Sequence, residues 1–447
     1  MLGWPRDVTP AQRRALIAGG LGWLLDAMDV MLYSLVLAHL MRDLGMGKPT
    51  AGLLNSLTLV ASAVGGALFG LVADRIGRTR ALMISILVYS LASGACGLST
   101  TVAQLAVFRF VLGLGMGGEW TAGAALVAET WPPEHRGKAL GLMQSAWAIG
   151  EMVAAGVVAA ILPAFGWRAV FFAGVLPALF VLWIRRGVEE PEIWRAGAAR
   201  RAAEERTGAQ GGARGPSQPK FAGGPSDPPE TTTAIGAARR AAVPASGLRT
   251  LWRPDLRRNG TLATAMNALS MFGYWGLFTW IPAYLSLPVA EGGRGLDLMR
   301  TTAWLVVMGV GKWLGYVCFG FAADTAGRRR AYVAYLLAAA ALVPLYGLAS
   351  RPATLLVLGP LVAFFGTGYF SGFAALTSEL FPTEVRATAM GLSYNIGRGL
   401  SAFAPFVVGA LAARYGLGAA FLLQAGAFLA AALVALALPE TRGKALD

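Results

Sequence analysis

Seven charged side chains stand in stretches that are otherwise almost wholly apolar: Asp26, Asp29, Arg109, Glu119, Glu151, Lys312 and Arg398. A charge at the centre of a bilayer costs about 2.5–3.5 kcal/mol on insertion scales, so such residues mark ion pathways, proton relays or buried pairs. All four acids lie in the first half of the chain, and two of the three bases, Lys312 and Arg398, lie in the second half. That asymmetry suggests a division of labour. The first half holds carboxylates that can take up protons, and the second holds cations that can meet an anion.

Asp26 and Asp29 fall three residues apart in "GWLLDAMDVMLYSLVLAHL". On a helix they stand about 60° apart and roughly 4.5 Å along the axis, so they can share one polar face. Two such carboxylates titrate as a pair, which is what proton coupling requires. The alternative is a pair neutralised permanently by Arg109 or by backbone groups. Glu119, after "GMGG", and Glu151, in "AWAIGEMVAAG", are both candidates for a second coupling acid. Glu119 can equally be a structural partner buried at a tight helix contact. Arg109 either pairs an acid or transmits protonation.

Lys312 stands in "MGVGKWLGY" of a chain that uses 33 arginines and only 5 lysines. A buried ammonium is a point-charge site for an anion, and its depth makes snorkelling to the surface difficult. Arg398, in "SYNIGRG", offers a planar fork that fits a carboxylate; Asn395, one turn earlier, can bond the same ligand. The alternative for Arg398 is an interhelical brace. Each of the two cations must be balanced by the substrate, by the first-half acids across a cavity, or by water. "NALSMFGYWGLFTW" and "FFGTGYFSGF" add Asn267, Tyr274, Trp275 and Tyr369 as candidate cavity residues or as packing.

The elements that must position these groups are membrane spans. The chain has 447 residues, 56% hydrophobic and 14% charged, against about 25% charged in soluble domains. Apolar runs long enough for a bilayer core of roughly 30 Å recur throughout. They predict twelve helices at about 15–41, 51–73, 81–99, 102–128, 138–162, 168–186, 259–285, 299–323, 331–350, 353–378, 387–412 and 418–438. The first run is too long, and too charged at its centre, for a signal peptide. Residues 187–258 contain "RTGAQGGARGPSQPKFAGGPSDPPE", whose Gly, Pro and charge cannot bury a core and predict a mostly disordered linker. The expected organisation is a bundle at 1–186, the linker at 187–258 and a second bundle at 259–447.

Basic residues set the expected orientation. With both termini and the linker on one side, that side holds 28 Lys and Arg against 7 on the other, or 14 against 7 without the linker. Both termini are therefore expected in the cytoplasm. The net charge of +14 then serves the anionic lipid leaflet, not nucleic acid. Cys96 and Cys318 both lie in apolar runs, and no His/Cys cluster exists, so neither disulfide, metal nor cofactor is expected. No nucleophile–base set or phosphate loop points to an enzyme.

The two halves repeat. "GLVADRIGRTR" from Gly70 matches "GFAADTAGRRR" from Gly320, and "ETWPPEHRGKALG" from Glu129 matches "ELFPTEVRATAMG" from Glu379, both at an offset of 250. Motifs in register at one offset indicate duplication. They place Gly70, Asp74, Gly77, Arg78, Glu129 and Arg136 opposite Gly320, Asp324, Gly327, Arg328, Glu379 and Arg386, with Arg75 a further basic residue of the first loop. Acids near helix ends can pair with arginines of their own loop, holding one conformation and releasing in another. The plainer reading is topological anchoring by positive charge.

The glycine–aspartate–basic loop after the second span, its second copy, and "RFVLGLGMGGE" from Arg109 resemble the major facilitator superfamily over essentially the whole chain except the linker. That resemblance implies two six-helix bundles facing each other across a central cavity, with rocking-type alternating access. "GWLLDAMDVMLYSLVL", "GLGMGGEWTAGAALVAETWP", "GWRAVFFAGVLPALFVLWIRR" and "SYNIGRGLSAFAPFVVG" look like the sialate and monocarboxylate proton-symporter branch. The paired aspartates are also similar to those of aromatic-acid proton symporters. The seventh-span pattern of lactate and pyruvate permeases is kept only at Asn267 and Ser270; Met271, Tyr274 and Trp275 replace the rest. The expected function is proton-coupled uptake of an organic anion through the cell membrane by a monomer. The substrate would be a monocarboxylate or a sialic-acid-like carboxylate. The alternatives are an aromatic-acid or sugar symporter, a proton-coupled exporter, which the proline-free fifth span disfavours, and a transporter-like receptor.

Overall fold

Thr9 starts the first span. Its hydroxyl accepts from the Gln12 amide at 3.2 Å, and the Gln12 side chain accepts from the Thr9 amide at 3.0 Å, a reciprocal cap ahead of Pro10. The computed structural model describes residues 8–192, 194–196, 199, 253–381 and 386–442; most of the expected linker lies outside them. The first four spans are the helices Pro10–Asp43, Lys48–Ile76, Arg78–Gly97 and Val102–Thr130. The fifth and sixth follow as Pro133–Ala173 and Pro177–Gly187, with the turn between spans at Gly166 (φ 75°). That backbone conformation is open to glycine at little cost.

The seventh span is Pro254–Phe278 continued by Ile281–Ser286. The eighth and ninth are Leu298–Ala326 and Arg328–Leu348. The tenth is Pro352–Thr367 and Phe373–Leu380 joined by a 3₁₀ turn, Gly368–Gly372. The eleventh breaks into Arg386–Ser401 and Ala404–Tyr415, and the twelfth is Leu417–Leu436. The described residues contain no strand. Among the described residues, ten helical segments are long and apolar enough to cross a bilayer, one of them the 50-residue Lys138–Gly187 that holds two spans. The seventh is absent from the ten because Asn267, Ser270 and Tyr274 dilute its hydropathy.

Packing follows the duplication. In the first half, spans one and five, two and four, three and four, and three and six pack together; in the second, seven and eleven, eight and ten, nine and ten, and nine and twelve. The crossings are glycine contacts. A Cβ on Gly65 would stand 2.1 Å from the Leu114 carbonyl oxygen, and one on Gly315 would stand 2.4 Å from that of Phe364, the pair 250 residues on. Small residues at such crossings let membrane helices approach closely. Gly77 and Gly327 take φ of 115° and 105°, again at that offset.

The repeated loops form matching clusters. Arg78 donates to Glu129 at 2.8 Å, and Arg328 donates to Glu379 at 3.1 Å and to Asp324. Glu190 accepts from the backbone of Thr79 and Arg80, both at 3.1 Å, and Glu440 accepts from that of Arg328 at 2.7 Å. These carboxylates cap the third and ninth spans, where orphan amides and the helix dipole favour an anion. The expected gate residues thus tie elements of the same half together. Arg75 is exposed, Gly70 faces Thr121, and a Cβ on Gly320 would meet nothing within 4 Å. The side chains of Asp74, Arg136 and Arg386 lie outside the described set.

The halves meet through spans two and eleven, five and eight, and one and seven. At the face away from the termini, Lys48 donates to the Glu291 carbonyl at 2.6 Å, and the Ser56 hydroxyl accepts from the Phe406 amide at 3.2 Å. That amide is free because the eleventh helix restarts at Ala404. A Cβ on Gly52 would lie 2.3 Å from the Pro405 carbonyl oxygen, so only glycine allows this contact. On the same face, Asp43 accepts from Trp167 at 2.8 Å and Arg168 at 2.9 Å.

Candidate functional site

Between the halves lies a small chamber. Spans one and five contribute Trp23, Gln144 and Trp147; the second half contributes Met271, Tyr274, Trp275, Tyr316, Phe370, Tyr394 and Arg398. Its volume is about 30 Å³, space for about two waters, so the rings must part to admit an organic solute. The walls interlock: Trp23 and Trp147 rings lie 4.6 Å apart, and Tyr274 meets Phe370 edge-on at 5.2 Å.

Arg398 is the one cation on this lining. It is 4% exposed and makes no ion pair or side-chain hydrogen bond among the described residues. Its charge reaches Asp26 and Glu119 of the first half without touching them. Both of those carboxylates are fully buried, and among the described residues neither has a hydrogen-bond partner on either oxygen. Glu119 fits only because Gly22 lacks a side chain; a Cβ there would stand 2.4 Å from its Oε1.

Behind Trp147 and Tyr274, Glu151 joins the halves. Its Oε1 accepts from the Trp147 indole at 2.9 Å and from the Tyr274 hydroxyl at 3.0 Å, and its Oε2 accepts from Lys312 at 2.5 Å. The Lys312 ammonium also lies 3.9 Å from the centre of the Phe278 ring. Of the three ways to balance Lys312, this conformation uses a first-half acid.

Asp26 and Asp29 look into different surroundings. Asp29 accepts from Ser93 of the third span and packs on Gly174, while neither oxygen of Asp26 has a hydrogen-bond partner among the described residues. Arg109 does not bond either one. Its Nη2 donates to Asn55 at 2.9 Å, its guanidinium covers the Tyr33 ring at 3.8 Å, and Asn55 donates onward to Thr279 of the second half at 2.9 Å. Arg109 therefore reaches the interface between halves through a single amide. Asn55→Ala strands two buried groups, one of them charged, and is expected to cost about 1–3 kcal/mol in thermal or chemical unfolding of the purified protein. An unchanged midpoint would show that the bridge contributes nothing.

Of the residues expected on the cavity, Tyr274, Trp275 and Arg398 line it. Asn267 instead points to the Ser393 carbonyl at 3.5 Å under Gly397, and Tyr369 donates to the Ser270 carbonyl at 2.8 Å. Both brace the second half internally. Asn395 turns towards Gly66 of the second span, 3.9 Å from a Cβ placed there. Sequence reasoning missed Asn55, Ser93, Trp147, Thr279, Tyr316 and Tyr394. Each is an uncharged residue among similar ones, Thr279 in the turn of the seventh span and the others in helices; only the polar Asn55 in an apolar run carries a signal.

The family model of the Major Facilitator Superfamily matches residues 20–299 and 292–446. The chain belongs to the major facilitator superfamily. This member is a multi-pass membrane transporter and not an enzyme. It is 30% identical to the cis,cis-muconate transport protein of Acinetobacter baylyi, covering 93% of this chain and 91% of that one. It is 28% identical to the sialic acid transporter NanX of Escherichia coli, over 96% and 94% of the two chains. The crystal structure of a D-xylose-proton symporter superposes with a TM-score of 0.71 at 20% identity, covering 98% of this chain and all of that one. That likeness concerns the fold, as the shared superfamily requires.

Proposed function

We propose that this transporter carries an organic carboxylate into the cell together with protons. The observation that carries this reading is Arg398: a buried guanidinium without an ion pair among the described residues, set on an aromatic chamber, with two unpartnered buried carboxylates, Asp26 and Glu119, within reach of its charge. A guanidinium there must be balanced by an anion. When Asp26 and Glu119 hold protons, they leave Arg398 to the substrate carboxylate. When they lose them, they compete for it and the substrate departs. Proton and substrate thereby travel together. Two relatives named for cis,cis-muconate and sialic acid support an acid as the substrate.

The ring-lined walls favour a flat, unsaturated or aromatic acid over an aliphatic one. The apolar faces of Trp23, Trp147, Trp275 and Phe370 can cover such a solute while Arg398 holds its carboxylate. The basic residues support cytoplasmic termini in the cell membrane, two six-helix bundles at 1–186 and 259–447, and a linker at 187–258. In that orientation the closed face at Gly52, Ser56 and Phe406 is the outer one. Alternating access requires those contacts to part while the clusters at Arg78 and Arg328, each within one half, brace the inner face.

Proteoliposomes with an inward proton gradient test the reading, with lactate, pyruvate, sialic acid and benzoate-type acids as solutes. Uptake is expected to rise as external pH falls and to collapse with a protonophore. Uptake that ignores the proton gradient and needs sodium would sink it. Asp26→Asn and Asp29→Asn are each expected to abolish accumulation against a gradient while the protein still inserts, because they remove charge from hydrocarbon. Asp26→Asn removes one of the two unpartnered carboxylates within reach of the Arg398 charge; Asp29→Asn acts through Ser93. Full accumulation by both variants would remove the coupling role.

A further inference from the structure

Glu151 is held as a bound carboxylate ligand would be held. Three donors from three helices converge on it: the Trp147 indole, the Tyr274 hydroxyl and the Lys312 ammonium. Two of those donors belong to the opposite half, and all three side chains are buried. Trp147 and Tyr274 are at the same time walls of the chamber that holds Arg398. The donor set therefore opens onto the chamber through two rings that must move to admit any solute.

We infer that the Trp147–Tyr274–Lys312 cage is a second carboxylate subsite, occupied in this conformation by the tethered carboxylate of Glu151. A substrate carboxylate takes the same three donors once Glu151 swings aside. With Arg398 on another wall, the site then accepts solutes with an anionic group at each end: dicarboxylates with an apolar, flat middle that fits between the rings. This rests on the carboxylate reading of Arg398 proposed above and adds the second end of the substrate.

Several features favour a ligand subsite over a plain interhelical brace. A brace needs one partner for Lys312, whereas this carboxylate collects three donors. The Phe278 ring, 3.9 Å from the ammonium, shields the cation on one side, as a site for a desolvated ion requires. Glu151 stands one turn after Trp147 on the same helix, so a change of its side-chain rotamer empties the cage without moving the donors.

The test uses the full chain purified in detergent, with sodium formate as probe and sodium chloride at equal ionic strength as control. Glu151→Ala leaves the cage empty and Lys312 without a partner. Formate is expected to raise the melting temperature of this variant saturably and to bind it at least tenfold tighter than wild type by calorimetry. Adding Lys312→Met to that variant is expected to abolish the effect. Glu151→Gln, which keeps the packing with a weaker acceptor, serves if the alanine variant does not fold; it is expected to bind formate at least threefold tighter than wild type. Formate binding no tighter than wild type in the variant that folds overturns the subsite. In the same variant, adipate is expected to bind at least tenfold tighter than hexanoate, which matches its length but has one carboxylate; equal affinities overturn the two-ended assignment. Formate reads the cage alone, so its failure is separate from a failure of the uptake screen, which reads the Arg398 proposal.

Discussion

Arg398→Lys is expected to lower carboxylate uptake by about 10- to 100-fold while the protein inserts and folds. Lysine keeps the charge on the chamber wall but loses the planar fork, and with it one of two charge-assisted hydrogen bonds. A hydrogen bond to a charged group contributes about 1.5–3 kcal/mol, hence the expected range. The side chain is 4% exposed and has no partner of its own among the described residues, so few contacts are lost on substitution. Calorimetry of a transported acid should show the loss as affinity. Wild-type affinity would remove Arg398 from the substrate, leaving it as a distant counter-charge for Asp26 and Glu119.

The second large effect concerns stability. Lys312→Met leaves Glu151 buried with a charge and no cation, and Glu151→Gln leaves Lys312 in the mirror situation. Each single substitution is expected to cost about 3–5 kcal/mol, because breaking a buried pair exposes the full desolvation cost of the survivor. The double variant is expected to recover most of that loss, since a buried pair replaced as a unit is often close to neutral. Unfolding midpoints of the four proteins in one detergent measure the coupling. Additive losses would show that the 2.5 Å contact between Lys312 and Glu151 is absent from the state that predominates in solution. The pair joins spans five and eight across the two halves. The double variant is therefore also expected to change how often the halves separate, which site-directed labelling at the Gly52 contact would read.

Alternating access needs contacts between halves that can be made and broken. Those seen here have such chemistry: a neutral amide bridge at Asn55, the Ser56 hydroxyl against the restart of the broken eleventh helix, and the Lys312–Glu151 ion pair. By contrast, the arginine–carboxylate clusters of the repeated loops tie each half to itself. The loops were legible as a pair because their residues repeat at one offset. Their partners Glu190 and Glu440 were legible only loosely: "EEPEIW" after the sixth span has a counterpart in "PETRGKAL" after the twelfth, but the letters do not show that one glutamate in each caps a helix.

The sequence by itself determined what depends on local composition. Run length and hydropathy gave the spans, since a helix must satisfy its own backbone in lipid and needs about 20 residues to cross it. Duplication followed from motifs in register, and the seven intramembrane charges from their rarity. What the sequence left open was decided by helix rotation and by contacts between helices far apart in the chain. Asp26 and Asp29 look alike on paper, yet Asp29 accepts from Ser93 while Asp26 is buried with no partner on either oxygen among the described residues. Asn267 and Tyr369 stand in polar stretches of expected cavity helices, but a difference in rotation turns them into braces. Lys312 finds Glu151 across 161 residues of chain, a pairing that no local pattern encodes. It exists because the docking of two bundles brings spans five and eight side by side, where an unpaired charge costs more than a paired one.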